Sequence, residues 1–535
     1  MGERILIRNA TVIDGTGSQP FFADIVICGD RIEHIGQVPS GWDANYKLVI
    51  DATGMVACPG FIDAHGHSDQ ELLVNRLCES KVMQGITTEV CGNCGFSPAP
   101  VLGEDAASQL ATPLHTYGIQ GRWRRLAEFL GELEGGGVSV NIATFVGHNT
   151  IRSAIMGEED REPSEDELTR MKMLLAEALE EGAIGLSSGL IYSPGCFSKP
   201  DELVELCKVV RHYNGLYATH MRNESSELIE AVHEAVDVAR QTGVPVQISH
   251  HKAVGKDNWG KVEQTLPMIE RANEHGLDVS CDQYPYTATA TSLKMVLPKW
   301  VHSGGTEQLL QRLKDEGMLQ RMRREVEEAF GSDEEWGQIM LSEVAHEHLR
   351  QFEGLRMTEV AEAIGKEPFD ALVYILTEDK AQTTMIRFSL SEDDVICVMR
   401  YGRTMFGTDA SARKFTADGK EGLRGKPHPR TFGTFPRILG RYVRERRVLT
   451  LTEAIRKMTS LPASKFGLRG RGELRQNNYA DIVVFDPQSV IDTSTYEEPY
   501  KAPIGIRHVF VNGVAVVSDG QLTGALPGRV IRRCG

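Results

Sequence analysis

The chain has 535 residues, 41% hydrophobic and 25% charged, the balance of a soluble globular protein rather than a disordered, fibrous or membrane one. Its 58 Lys and Arg against 74 Asp and Glu leave a formal net charge of -16, which argues against nucleic acid or an anionic membrane as partner and requires locally placed cations for any anionic substrate. No run approaches the roughly 18 consecutive apolar residues of a membrane span, the N-terminus has no signal layout, and the ten cysteines are too scattered for a secreted disulfide framework, so a cytoplasmic location is expected.

Residues 4 to 51 alternate apolar and polar side chains (Ile5, Ile7, Val12; Ile25, Val26, Ile27; Ile32, Ile35) between Asp14-Gly15 and Gly29-Asp30 turns, which predicts short strands. The style returns in Ala480 to Phe485 and in Val509-Phe510-Val511, followed by the hairpin pair Asn512-Gly513. The two ends, 1–55 and 467–535, are therefore expected to build one small β-sandwich domain. Between them, over 56–466, short apolar runs alternate with helices. One helix opens on the capping box Ser164-Glu165-Asp166-Glu167 and stops at Gly182. Candidate strands lie near 57–63, 86–92, 140–147, 184–190, 216–221, 245–251, 278–283 and 404–408. Eight βα repeats predict an α/β protein with a closed (β/α)8 barrel of the triosephosphate isomerase type. Tyr286 to Met405 is too long for one connection, which predicts a small inserted element after strand 7, at 287–350, near the barrel mouth.

Metal-type side chains recur at the C-terminal ends of these strands, where a barrel keeps its active site. His65 and His67, two apart after strand 1, face the same way and can share an ion, although a lone H-x-H is more often two unrelated polar residues. After strand 2, Cys91 and Cys94 form a C-x-x-C with no second pair to complete a structural zinc site, and alternation leaves Cys94 as the better ligand. Strand 5 ends in His220. Strand 6 supplies His250 and Lys252 on one face and turns His251 toward the helix layer, and strand 8 supplies Asp409. His148, after strand 3, reads equally as rim scaffold or substrate contact.

In these stretches, and in Pro59 to His67, Gly92-Asn93-Cys94-Gly95, His220-Met221-Arg222-Asn223-Glu224, Tyr284-Pro285-Tyr286 and His428 to Pro436, the sequence resembles the amidohydrolase superfamily, and within it the N-acyl-D-amino-acid deacylases. The resemblance implies a tight zinc site at Cys94, His220 and His250 and a second, weaker one at His65, His67 and Asp409. It also implies that Lys252, Tyr284 and Arg430 hold the α-carboxylate of a small anionic substrate, an N-acyl-D-amino acid. Zinc-activated water would attack the linear amide, with Asp409 as general base and acid. No nucleic acid or membrane partner is implied, and self-association stays open. Two rival readings remain: a cyclic amidohydrolase, which usually bridges two metals with a modified lysine on strand 4, where this chain has none, and a barrel that binds zinc without catalysis.

Overall fold

The computed structural model describes residues 4–38, 46–102, 121–330, 332–415 and 424–533. The alternating N-terminal stretch forms β1 (Arg4–Val12), β2 (Phe21–Cys28) and β3 (Arg31–Gly36), followed by β4 (Tyr46–Asp51) and β5 (Val56–Pro59). In β1 and β2 the alternate residues Ile7 and Ile25 pair across the antiparallel ladder, so their apolar sides fall on one face.

The stretch expected as one strand near 57–63 divides. β5 belongs to the terminal sheet, and β6 (Phe61–Asp63) starts the barrel. Gly60 makes the break possible, because a Cβ there would lie 2.1 Å from Thr87 Oγ1. The barrel continues with β7 (Ile86–Cys91), β8 (Asn141–Thr144) prolonged by β9 (Val146–Gly147), β10 (Gly185–Gly189), β11 (Leu216–His220), β12 (Val246–Ile248) and β13 (Val279–Gln283). The chain then leaves for an insertion, where β14 (Thr289–Ser292), β15 (Ile339–Glu343) and β16 (Thr384–Arg387) form an antiparallel sheet in the order β14-β16-β15. The insertion has its own core, which runs from Leu293 to Met385 and so extends past residue 350.

Strand β17 (Thr404–Phe406) returns to the barrel beside β13. The ring closes where Ala64 N donates to Phe406 O at 3.1 Å and Phe145 N to Cys91 O at 2.9 Å. The expected α/β barrel is therefore present, with the insertion after its seventh strand. The helices that bear on the argument are α1 (Glu79–Val82), α2 (His148–Met156), α3 (Glu165–Glu180), α4 (Pro200–His212), α5 (Leu228–Thr242), α6 (Val262–Glu274) and α7 (Arg430–Arg437). The capping box at α3 forms as predicted, with Glu167 N donating to Ser164 Oγ at 3.2 Å and Ser164 N to Glu167 Oε2 at 2.8 Å.

The C-terminal strands β18 (Ile482–Phe485), β19 (Ile506–Val511), β20 (Val514–Ser518) and β21 (Gln521–Leu522) rejoin the first sheet, whose order is β21-β20-β19-β18-β5-β1-β2-β3 with β4 beside β1. Both ends of the chain share its core, which includes Ile7, Ile25, Ile32, Ile482 and Phe510. Asn512 and Gly513 take the two positive φ angles, +47° and +80°, that a tight hairpin needs. Among the described residues no helix is long and apolar enough to cross a membrane.

Candidate metal centre

The site begins where the strands stop. β12 ends at Ile248, so strand alternation no longer governs the next residues, and the expectation that alternation aligns His250 with Lys252 fails in its reason. A turn brings them together instead, with Lys252 Nζ 2.7 Å from His250 Nδ1. Cys94, His250 and Asp409 all have left-handed backbones, with φ of +53°, +35° and +49°. Non-glycine residues there cost on the order of 1–3 kcal/mol each and persist only where their surroundings over-determine them.

These turns converge on one point. Cys94 Sγ lies 3.3 Å from His65 Nε2 and 3.5 Å from His250 Nε2. His67 Nε2 is 3.3 Å from His65 Nε2 and 3.0 Å from Asp409 Oδ1, and the His220 and His250 rings are 4.4 Å apart. Two ligand-capable groups result, His65, His67, Cys94 and Asp409 in one and Cys94, His220 and His250 in the other, with donor atoms within 4.8 Å of one another in each. Cys94 is common to both, which the sequence reading did not anticipate.

The donors suit zinc. A soft thiolate with two imidazoles favours zinc over the hard cations, and a set of three such donors would leave the open position of a catalytic rather than a closed structural site. Neither ring nitrogen of buried His220 makes a hydrogen bond of good geometry, the nearest carboxylate being Glu224 Oε2, 3.7 Å from Nε2, so an ion on one nitrogen would give it a partner. Burial pushes the Cys94 thiol up, yet the imidazoles of His65 and His250 hold it well below the ordinary thiol range. Burial likewise opposes the Asp409 carboxylate, and the Arg430 guanidinium 2.8 Å from its Oδ2 holds it well below the usual carboxylate value. Burial works against a charged His67, but its hydrogen bond to Asp409 raises it to about 9. Negative charge is thus concentrated on the two donors best able to attract a cation.

Two supporting acids escaped sequence reading. Asp282, on β13, has Oδ1 3.2 Å from His65 Nδ1 and accepts from His250 N at 2.7 Å. Glu224 Oε1 is 2.9 Å from His250 Nδ1 and 2.5 Å from Lys252 Nζ. Carboxylates on the far nitrogens of ligand histidines fix ring orientation and basicity. The sequence signals were faint: an acid inside an otherwise buried strand, and an acid four residues after His220.

Lys252, Tyr284 and Arg430 gather on one side of the centre. The Arg430 guanidinium sits 4.6 Å, and Lys252 Nζ 5.9 Å, from the centre of the Tyr284 ring, and the buried Tyr284 hydroxyl has no partner. Both cations already face a carboxylate of the chain, Glu224 or Asp409. His148 turns away from the centre. Its Nε2 is 2.7 Å from Glu202 on α4, which also pairs with Arg152 on α2, so it ties helices together as rim scaffold. His251 bonds Thr265 of α6 through Nε2 at 2.8 Å, in the helix layer as expected.

Comparison with known proteins places this geometry among relatives. Residues 48–517 match the Amidohydrolase family. The chain is 36% identical over 529 residues to a D-aminoacylase of Alcaligenes xylosoxydans xylosoxydans, covering 99% of this chain and 97% of that one. It is also 36% identical over 532 residues to an N-acyl-D-glutamate deacylase of the same organism, covering 99% and 96%. A crystal structure of N-acyl-D-glutamate deacylase from Bordetella bronchiseptica, complexed with zinc and a phosphonate mimic of the tetrahedral intermediate, superimposes with a TM-score of 0.82 at 32% identity over 100% of both chains.

Proposed function

The chain belongs to the amidohydrolase family, and we infer that it hydrolyses the linear amide bond of N-acyl-D-amino acids to a carboxylate and a free D-amino acid, with zinc as cofactor. The observation that carries this reading is the convergence of Cys94, His220 and His250 beside the Asp409–Arg430 pair at the mouth of a barrel. A cyclic amidohydrolase is disfavoured because β10 reads Gly-Leu-Ser-Ser-Gly, with no lysine to bridge two ions. A purely structural zinc would need neither the open position nor the buried acid–cation pair.

Zinc, when bound, supplies Lewis acidity that brings a water's pKa to about 7 and polarises the scissile carbonyl. The rest falls to the chain. In our reading Cys94, His220 and His250 hold the tight ion, and His65, His67 and Asp409 hold a second, weaker one. Asp409 takes the proton of the attacking water and returns it to the departing nitrogen. Lys252, Tyr284 and Arg430 hold the α-carboxylate, so the handedness of the α-carbon decides where the side chain points. A stereopaired panel of N-acetyl amino acids, assayed for released amine with and without added zinc, tests the reading. Release from D and not L substrates, and only with zinc, is expected, whereas turnover of hydantoins alone would overturn it.

Arg430→Ala is expected to lower kcat/KM on an N-acyl-D-amino acid by about one to two powers of ten, because a charge-assisted hydrogen bond to a buried carboxylate contributes roughly 1.5–3 kcal/mol. Lysine at 430 should rescue little, lacking the bidentate fork. Because Arg430 also pairs with Asp409, the same substrate with its carboxylate converted to a neutral amide measures the part of the loss that passes through Asp409. Equal losses on both substrates would remove Arg430 from the clamp.

A cavity of about 430 Å³ opens beside His67, lined among others by Phe96, Pro98, Val101, Asn149 and Ala154. These residues follow β7 and β9, the second and third strands of the ring, whereas the clamp follows β12, β13 and β17. Strands two and three stand opposite six and seven in an eight-stranded ring, so this part of the cavity lies across the mouth from Lys252 and Tyr284, on the side we assign to the acyl group, while His67 to Glu71 and Ser411 line the part nearer β6 and β17. Burial of apolar surface contributes about 0.8 kcal/mol per methylene. Lengthening the acyl chain from acetyl to butyryl on one D-amino acid is therefore expected to raise kcat/KM about three- to fourfold per methylene. A flat or falling series would assign the cavity elsewhere.

A further inference from the structure

We propose that Lys81, wholly buried behind the metal centre, is a positioning residue that sets where His65, His67 and Asp409 present their donor atoms. The proposal rests on the hydrolase reading for its kinetic consequence and on geometry alone for the rest. Lys81 lies on the one-turn helix α1 and has no exposed surface. Its Nζ is 2.8 Å from Asp63 Oδ2, 2.9 Å from Thr408 Oγ1, 2.7 Å from Ala410 O and 3.0 Å from Glu89 Oε1. Four oxygens thus surround a group with three N–H donors.

Three of those partners also hold the backbone beside one of the ligand-type residues, and the fourth, Thr408 Oγ1, donates to Asp63 Oδ2 at 2.7 Å. Asp63 Oδ1 accepts from His65 N at 3.2 Å and from Thr408 N at 2.8 Å. Ala410 O accepts from His67 N at 3.1 Å. Glu89 Oε1 accepts from Ser68 N at 3.2 Å and Ser68 Oγ at 2.7 Å, and Ser68 Oγ accepts from Ala412 N at 2.8 Å. One ammonium therefore pins the ends of β6, β7 and β17 to one another, on both sides of His65, His67 and Asp409. It touches no group that holds His220 or His250.

The cluster also accounts for a sequence feature that the two histidines leave unexplained. A Cβ at residue 66 would lie 2.1 Å from Glu89 Oε1, so the spacer in His65-Gly66-His67 must be glycine for the carboxylate to reach Lys81. A compact ammonium suits four convergent oxygens, whereas the planar fork of arginine does not. The left-handed turn at Asp409 needs surroundings that over-determine it, and this network lies directly beneath it.

The test is Lys81→Met in the full-length chain, loaded with zinc or with cobalt(II) as a spectroscopic reporter. One tight ion per chain should remain. Affinity for a second ion should fall about 10- to 100-fold, the usual effect of removing a partner behind a metal ligand. On an N-acyl-D-amino acid, kcat should fall about 10²-fold with little change in KM, as expected when reacting groups shift by about an ångström. Lys81→Arg should not rescue either quantity. Thr408→Val keeps the side-chain shape and both ion pairs while cutting the hydroxyl link, and should move second-ion affinity and kcat in the same direction by a smaller factor; it decides the matter if Lys81→Met does not fold. A folded Lys81→Met with a lowered Tm but wild-type second-ion affinity and kcat, or a Thr408→Val unchanged in both, would overturn the proposal. If the wild-type chain hydrolyses no N-acyl-D-amino acid, the functional reading fails by itself, and the ion-affinity comparison still judges Lys81.

Discussion

Asp409→Asn is expected to lower kcat by a factor of about 10²–10⁴, the range for loss of a general acid–base, while the chain stays folded and keeps the tight zinc proposed at Cys94, His220 and His250. The asymmetry follows from where Asp409 stands. It belongs to the group with His65 and His67 and not to the group with His220 and His250, so its loss leaves the latter set of donors intact. Asparagine keeps the shape of the side chain that lies 2.8 Å from the Arg430 guanidinium, though not its charge, and it tolerates the left-handed backbone that the position requires. What it cannot do is hold a proton between two steps of the reaction. Metal analysis and steady-state kinetics on one preparation check the prediction. Retained kcat with only a raised KM would reduce Asp409 to a substrate-orienting residue.

Cys94→Ala has the larger expected effect, loss of both tight zinc and measurable turnover. Its sulfur is the one donor common to both groups, 3.3 Å from His65 Nε2 and 3.5 Å from His250 Nε2, so no remaining pair of histidines keeps a thiolate to neutralise the ion. Cys94→Ser separates geometry from charge. A serine hydroxyl occupies the same place but stays protonated at neutral pH, so zinc should be held weakly and turnover should stay low even at high zinc. Because an ion that binds only the folded chain stabilises it by mass action, the melting temperature of wild type should fall when zinc is chelated, and that of Cys94→Ala should not respond. If purified Cys94→Ala keeps wild-type zinc and turnover, the cysteine is a core residue and the assignment of the centre is wrong.

Much of this was legible in the residues. Period-two alternation at both ends and βα alternation between them specify a sheet and a barrel, because burial of one face leaves few other ways to place those side chains. The capping box at Ser164 and the Asn512-Gly513 turn are local devices whose chemistry acts within four residues, and both form. The barrel also tells in advance where to look for chemistry, since residues just after its strands share one rim. His65, His67, Cys94, His220, His250 and Asp409 could be nominated on that ground although some 340 positions separate the first from the last.

The tertiary structure decided what lies beyond the last hydrogen-bonded residue of each strand. Periodicity ends with the ladder, so the facing of His250 and Lys252 could not be read from alternation; it comes from a left-handed turn at His250. Nor could spacing show that Cys94 is common to both donor groups, because the distance from its sulfur to His250 is set by the register of strands that never pair directly. The carboxylates that orient the histidines, Asp282 and Glu224, have only faint sequence signals, and the ammonium of Lys81 has none. An isolated charged residue in an apolar stretch reads as an exception until the fold shows what it faces. The low dielectric of the interior then makes that pairing obligatory, because a buried charge without its partner would cost several kcal/mol. Sequence determines which residues can be brought to the rim, and packing determines which of them hold one another in place.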